Sequence, residues 1–236
     1  TTTVDIDKIQ ALMDRHDPLP MNEFDQIINS RQSTLDRSFI VQMLKDEETN
    51  NALRKLNQEQ RAFIDHTMFH IRTKTHPCRL FLSGGAGVGK STTINVLYRL
   101  VTRFYNSDVE ANPMLLKVLK LSPTGIAAFN IEGYTIHSAL RLEVKKNKET
   151  YEGLSDRTAG ELFSQLREVK LVIIDEVSMV GYYLLKQLDM RLRELFEQSE
   201  SFGGLHVIVV GDFTNKNHSK TYSALKLNFL LLWILL

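Results

Sequence analysis

The chain has 236 residues, enough for one good-sized domain or a domain with an appendage, and its 43% hydrophobic and 24% charged residues are ordinary values for a globular protein. A net charge of +1 carries no global signal for nucleic acid, so any basic surface must be local; the single cysteine, Cys78, excludes an internal disulfide and fits a reducing compartment. The longest apolar run, residues 229–236, is 8 residues long, far below the ~20 that span a bilayer, so no membrane partner is expected.

Residues 1–55 read as a helical and linker segment broken by Pro18 and Pro20, with residues 38–56 as a candidate helix whose apolar face holds Ile40, Met43 and Leu44. The chain opens on Thr1 without a signal-peptide pattern and is read as starting inside a longer protein. From residue 56 the pattern changes. A helix is expected over 58–72, with Ile64, Met68 and Ile71 on one stripe, and Pro77 closes the connection after it. A buried strand follows over 79–83, then a glycine-rich turn and a helix over 90–104. A second strand is expected over 115–121, a loop, short helix and loop over 125–140, and a helix over 161–167. A third strand at 171–175, an amphipathic helix at 182–196 and a fourth strand at 206–210 complete the series. Strands that alternate with helices and are mostly continuous apolar runs imply an α/β fold with a mostly parallel sheet covered on both faces.

The turn after the first strand reads Gly84-Gly85-Ala86-Gly87-Val88-Gly89-Lys90-Ser91-Thr92, a match to G-x-x-x-x-G-K-S/T in the strand-to-helix context that the motif requires. Glycines let backbone N–H groups converge on phosphate oxygens, and the following helix adds its positive end. Lys90 can reach the β- and γ-phosphates, and the Ser91 hydroxyl can ligate Mg²⁺. The third strand ends in Asp175-Glu176. Carboxylates at the tip of a parallel strand lie at the sheet's carboxyl edge, beside such a loop. Asp175 is expected to hold Mg²⁺ and Glu176 to polarise the attacking water, a pair that suits hydrolysis rather than storage. A guanine-reading N-K-x-D string is missing, since Asn215-Lys216-Asn217-His218 lacks the aspartate, and this argues against a GTPase.

Between the two sites lies Ser122-Pro123-Thr124-Gly125-Ile126-Ala127-Ala128-Phe129-Asn130, followed by Thr135-Ile136-His137-Ser138. Small residues and hydroxyls at a strand end would let a nucleic-acid backbone approach, although composition alone favours a plain structural loop. These strings, with Ile173-Ile174-Asp175-Glu176-Val177-Ser178-Met179-Val180, resemble the Pif helicases, superfamily-1 motors related to RecD, and especially their eukaryotic and helitron-associated copies. Leu56-Asn57-Gln58-Glu59-Gln60 resembles the family's Q motif, and residues 202–213 resemble the approach to its third motif.

The resemblance implies that residues 56–213 form a RecA-like P-loop NTPase domain, the first motor domain of an ATP-dependent helicase that moves 5′ to 3′ on single-stranded DNA. It implies that Gln60 reads adenine, that residues 84–92 hold the phosphates, and that Ser91 and Asp175 serve Mg²⁺. Lys90 and Glu176 become the catalytic pair, and Thr124, Gly125, Thr135 and His137 lie along the DNA. Phe129 or Tyr134 is a candidate to stack on a base. Family membership further implies roles in DNA repair, recombination and telomere maintenance, in the nucleus and in some cases the mitochondrion; oligomeric state is not implied.

Beyond residue 213 the resemblance breaks. Asn215 stands where the family has a glutamine, residues 214–236 contain no Asp or Glu, and the last 8 residues are wholly apolar. Residues 214–236 are therefore read as an aberrant apolar tail, with the final sheet strands and a second motor domain expected to be missing and turnover expected to be impaired. The alternative is a nucleotide- or DNA-binding remnant without productive turnover. Three smaller signals have bland readings: His66 and His70 share a helix face without a supporting metal motif, Lys145-Lys146-Asn147-Lys148 is a short basic run, and Cys78 is read as a packed, inert thiol.

Overall fold

The computed structural model describes residues 47–73, 76–85, 87–108, 111–143 and 151–212, together with the backbone of 233–235. The chain divides into two compact units, Thr1–Glu48 and Thr49–Leu236, and the sheet with its covering helices belongs to the second. Of the candidate helix over 38–56, residues 47–54 are helical, while 38–46, with Ile40, Met43 and Leu44, lie outside the described residues, as do the basic run at 145–148, Ala86 and residues 213–232.

The strands are β1 (Arg79–Ser83), β2 (Val118–Ser122), β3 (Tyr134–Thr135), β4 (Leu171–Ile174), β5 (His206–Gly211) and β6 (Trp233–Leu235). The helices are α1 (Gln58–Thr73), α2 (Lys90–Asn106), α3 (Gly125–Asn130), α4 (Ile136–Leu140), α5 (Asp156–Leu166) and α6 (Tyr182–Phe196). All pairings are parallel, in the order β3-β2-β4-β5-β1-β6. The α/β reading therefore holds, and so does the reason for it: strands buried on two faces need apolar side chains at both parities.

The two faces can be read from the register. Phe81, Leu121, Ile174 and Val209 project into one core with α4, α5 and α6, through residues such as Leu140, Leu162, Leu188 and Leu192. Leu82, Val118, Ile173 and Val210 project into the other with α1 and α2, through Phe63, Ile64, Ile94 and Leu97. Fully burying one such side chain contributes about 1.5–3 kcal/mol. Lys120 interrupts the second face. It is 5% exposed, its Nζ donates to Asn95 Oδ1 at 3.5 Å, and it lies 4.4 Å from the Tyr98 ring centroid. Burial lowers its pKa, partly offset by the Glu132 charge.

Two expectations are revised. Residues 125–140 are more ordered than a loop with one short helix: α3 and α4 are separate helices, capped by Thr124 and Thr135, and β3 lies between them as the edge strand beside β2. A two-residue strand carries too little periodicity to be read from sequence. Part of the terminus read as an aberrant tail joins the sheet as β6, which pairs with β1 at Phe81↔Trp233 and Ser83↔Leu235. An uncharged run rich in large apolar residues is what a strand beside a buried strand requires. Among the described residues no helix is long and apolar enough to cross a membrane.

A tight turn seats α6 against the entry to β5. Phe202 N–H donates to Asp189 Oδ1 at 2.6 Å. Gly203 adopts φ +65, and a Cβ there would lie 2.6 Å from Leu192 O. Both the backbone conformation and the space demand glycine. Gly203→Ala is expected to destabilise the protein by about 2 kcal/mol or more; an unchanged urea midpoint would show that the turn yields freely.

Candidate nucleotide and DNA site

The phosphate loop leaves β1 at Ser83 and ends where α2 begins at Lys90. Gly87 and Gly89 take φ +76 and +89, conformations that L side chains rarely adopt, and a Cβ at Gly85 or Gly87 would meet nothing within 4 Å. The loop thus presents backbone rather than side chain along this stretch. Lys90 folds back over it, with Nζ donating to Gly84 O at 2.7 Å and Gly85 O at 2.6 Å. Ser91 and Thr92 sit exposed in the first turn of α2, as a metal ligand and a phosphate contact require.

Gln60, the residue expected to read adenine, lies in the first turn of α1. It is 7% exposed and closes a reciprocal cap on α1: Asn57 N–H donates to Gln60 Oε1 at 3.0 Å, and Gln60 N–H donates to Asn57 Oδ1 at 2.8 Å. Its side-chain amide also donates to Val88 O at 2.9 Å. The structure therefore brings Gln60 to the phosphate loop itself. Asn57 has no role in the sequence reading, although N-x-x-Q ahead of an apolar helix is a recognisable capping signature.

The acidic pair follows β4. Asp175 N–H donates to Leu121 O at 2.8 Å, continuing the β4–β2 ladder, and Asp175 is 7% exposed. Burial raises its pKa; the Glu176 backbone N–H opposes that rise, the Glu176 carboxylate adds to it, and the Lys90 cation counters it. β5 lies between β4 and β1 and all three are parallel, so the acidic pair and the phosphate loop open on one sheet edge. Glu176 is held at φ 50, ψ 41, a left-handed conformation uncommon for a side-chain-bearing residue, and opens the 3₁₀ turn Val177–Met179. Gly211 of β5 packs under this turn, with space for its Cβ limited to 3.1 Å from Val177 Cγ1.

The donor chemistry fits Mg²⁺. Ser91 and Asp175 offer hard oxygen ligands, and a carboxylate whose ionisation is opposed by burial and by a neighbouring carboxylate gains most from a divalent cation.

The candidate DNA residues lie at the same sheet edge, on the far side of β4 from the phosphate loop. Thr135 is in register with Ser122, and Leu121 is in register with both Tyr134 and Ile174. The two threonine hydroxyls already have partners: Thr124 Oγ1 accepts from Ala127 N–H at 3.3 Å, while Thr135 Oγ1 accepts from Ser138 N–H at 3.2 Å and donates to Ser138 Oγ at 2.7 Å. Gly125 opens α3 and His137 lies in α4. Phe129 is 83% exposed and Tyr134 51%, so neither aromatic is consumed by packing. The sequence alone assigns Ser122 no role of its own; its hydroxyl is fully buried at the end of β2 without a hydrogen-bond partner among the described residues.

At the opposite, amino edge of the sheet, His206 Nδ1 accepts from Cys78 N–H at 3.0 Å and lies 3.1 Å from the thiol. Burial pushes the thiol up to about 12, which makes Cys78 an inert group, as expected. His66 and His70 meet edge to face at 4.5 Å, and among the described residues no group of three or more His, Cys, Asp or Glu could hold a metal ion.

A phosphate loop, an acidic pair and a small-residue loop on one sheet edge agree with the comparison to known families. The PIF1-like helicase profile matches residues 55–217. The chain belongs to the PIF1-like helicase family. It is 36% identical over 144 residues to the ATP-dependent DNA helicase PIF4 of Trypanosoma brucei brucei, covering 59% of this chain and 16% of that protein. To the ATP-dependent DNA helicase PIF1 of Candida albicans it is 31% identical over 134 residues, covering 57% of this chain and 14% of that protein. The chain thus spans less than a fifth of the length of these relatives. Among solved structures, a complex of two coordinating Pif1 helicases described at forked double-stranded DNA matches with a TM-score of 0.50 and 28% identity, over 72% of this chain and 38% of that one. The Candida albicans Pif1 helicase matches with a TM-score of 0.57 and 24% identity, over 77% and 40%, and supports the RecA-like fold.

The raised pKa of Asp175 fixes a sign. A carboxyl whose folded pKa lies above its unfolded value stabilises the fold at pH below the unfolded pKa, and that stability is lost as pH rises through the folded pKa. Ionised Asp175 therefore works against the nucleotide-free fold at neutral pH. Asp175→Asn is expected to raise the Tm at pH 7.5, with the gain vanishing below pH of about 3.9, and to abolish stabilisation by Mg²⁺–ATP. A lower Tm at pH 7.5 would contradict this account.

Proposed function

We propose that this chain is the first motor domain of an ATP-dependent DNA helicase that couples hydrolysis to 5′-to-3′ movement on single-stranded DNA. The observation that carries the reading is the shared carboxyl edge of the parallel sheet, where the phosphate loop after β1 and the acidic pair after β4 open with β5 between them. The names of the relatives, ATP-dependent DNA helicases, support it.

In this reading the amides of residues 84–91 and the Lys90 ammonium hold the triphosphate. Incoming phosphate oxygens take over the hydrogen bonds that Lys90 now gives to Gly84 and Gly85. Ser91 and Asp175 hold Mg²⁺, which when bound neutralises charge on the β- and γ-phosphates. Glu176, fixed by its left-handed backbone at the mouth of the 3₁₀ turn, orients and polarises the water. The strand of DNA runs past Thr124, Gly125, Thr135 and His137, with Phe129 and Tyr134 as stacking surfaces. Because the threonine hydroxyls serve as helix caps, their DNA contacts come chiefly through backbone groups and the loop shape they maintain. Roles in repair, recombination and telomere maintenance, and residence in the nucleus or mitochondrion, accompany this proposal on the strength of the family resemblance. The expectation of impaired turnover belongs to the same test.

Single-stranded DNA is expected to stimulate ATP hydrolysis by the purified protein. Lys90→Ala should remove stimulation and lower turnover by on the order of 10²–10³. Equal rates for wild type and Lys90→Ala would instead favour a binding module without turnover. Glu176→Gln should retain nucleotide binding while losing about 10²–10⁴ in turnover; a parallel loss of ATP affinity would move Glu176 from catalysis to binding.

A further inference from the structure

Gln60 joins two parts of the molecule through one amide. Its oxygen accepts from Asn57 N–H at the start of α1, and its nitrogen donates 2.9 Å to Val88 O, 28 residues along the chain in the crown of the phosphate loop. The fit is close: a Cβ at Gly89 would lie 2.6 Å from Gln60 Nε2. The Gln60 side chain is nearly buried while Val88 is exposed, so the part-buried bond anchors an outward-facing stretch of the loop to the body of the domain. Gly87 and Gly89, on either side of Val88, both take positive φ. A glycine-rich segment of this kind has large conformational freedom to lose, and the Val88 carbonyl is where Gln60 removes part of it.

We propose that Gln60 is a positioning residue for the phosphate loop: its amide braces the loop in the phosphate-accepting shape before nucleotide arrives, independently of any contact with the base. The inference rests on the nucleotide reading of the site. It implies that substitution at Gln60 weakens binding of the polyphosphate itself, whatever base is attached.

Inorganic tripolyphosphate with Mg²⁺ separates the two roles, because it carries the phosphates of ATP and no adenine. Calorimetric titration of the full chain would compare wild type, Gln60→Met and Asn57→Ala against tripolyphosphate and against ATP. Gln60→Met keeps side-chain length and loses both amide bonds. Asn57→Ala removes the cap to Gln60 N–H and leaves the Val88 bond. The expected result is a roughly tenfold loss of affinity for both ligands in Gln60→Met. Asn57→Ala should keep both affinities within about twofold while its Tm falls, as loss of a helix cap predicts. If Gln60→Met weakens ATP alone, the amide reads the base and the brace is overturned. An Asn57→Ala variant as weak as Gln60→Met would also overturn it, by assigning the effect to the helix cap. A wild type that takes ATP but not tripolyphosphate overturns it too, since phosphate capture would then depend on the base. Should wild type bind neither ligand, the nucleotide reading fails and the brace with it.

Discussion

In a parallel sheet every strand leaves by the same edge, and this one constraint places all the chemistry of the molecule. Each apolar strand ends at a point where side chains can stop packing and begin reacting. The phosphate loop leaves β1, the acidic pair leaves β4, and the small-residue loop leaves β2 and returns through β3. The amino edge, bound by the same geometry, receives the helix returns and holds the inert Cys78–His206 contact. The two apolar cores hold this arrangement in place from above and below.

The site is built against local preference at several points. Asp175 is a carboxylate buried beside another carboxylate, Glu176 adopts a left-handed backbone, and Lys90 turns its ammonium onto backbone carbonyls. Burial and the neighbouring carboxylate work against the ionised form of Asp175, and sterics work against the left-handed backbone of Glu176. The rest of the domain is organised to tolerate that cost: Ile174 and Val177 are fully buried on either side of the pair, and Gly211 leaves just enough room beneath the turn.

Much of this is legible in the residues. The strand at 79–83 and the helix at 182–196 have the predicted bounds, because a continuous apolar run closed by glycines and a strongly amphipathic stretch leave few alternatives. The loop and the acidic pair are legible because their spacing carries the chemistry. Other features are not. Nothing in the sequence marks Lys120 as buried; it becomes so because Tyr98 and Asn95 of α2 receive it, a tertiary fact. β3 is too short to show a period, and the terminal strand is misread because composition reports what a segment contains and not what it pairs with. Gln60 falls in its motif as the pattern suggests, but its bond to Val88 spans 28 residues that no local pattern connects.

The position of β5 between β4 and β1 has a separate consequence. It fixes the distance from the acidic pair to the phosphate loop at two strand spacings, about 9–10 Å. Backbone hydrogen bonds set that interval, from Arg79↔Val207 to Ser83↔Gly211 on one side and from Leu171↔His206 to Ile174↔Val209 on the other. The sheet is thus a ruler whose graduations do not depend on side chains. Connections elsewhere in the domain do not enter that interval, which the proposed triphosphate and its ion would have to bridge.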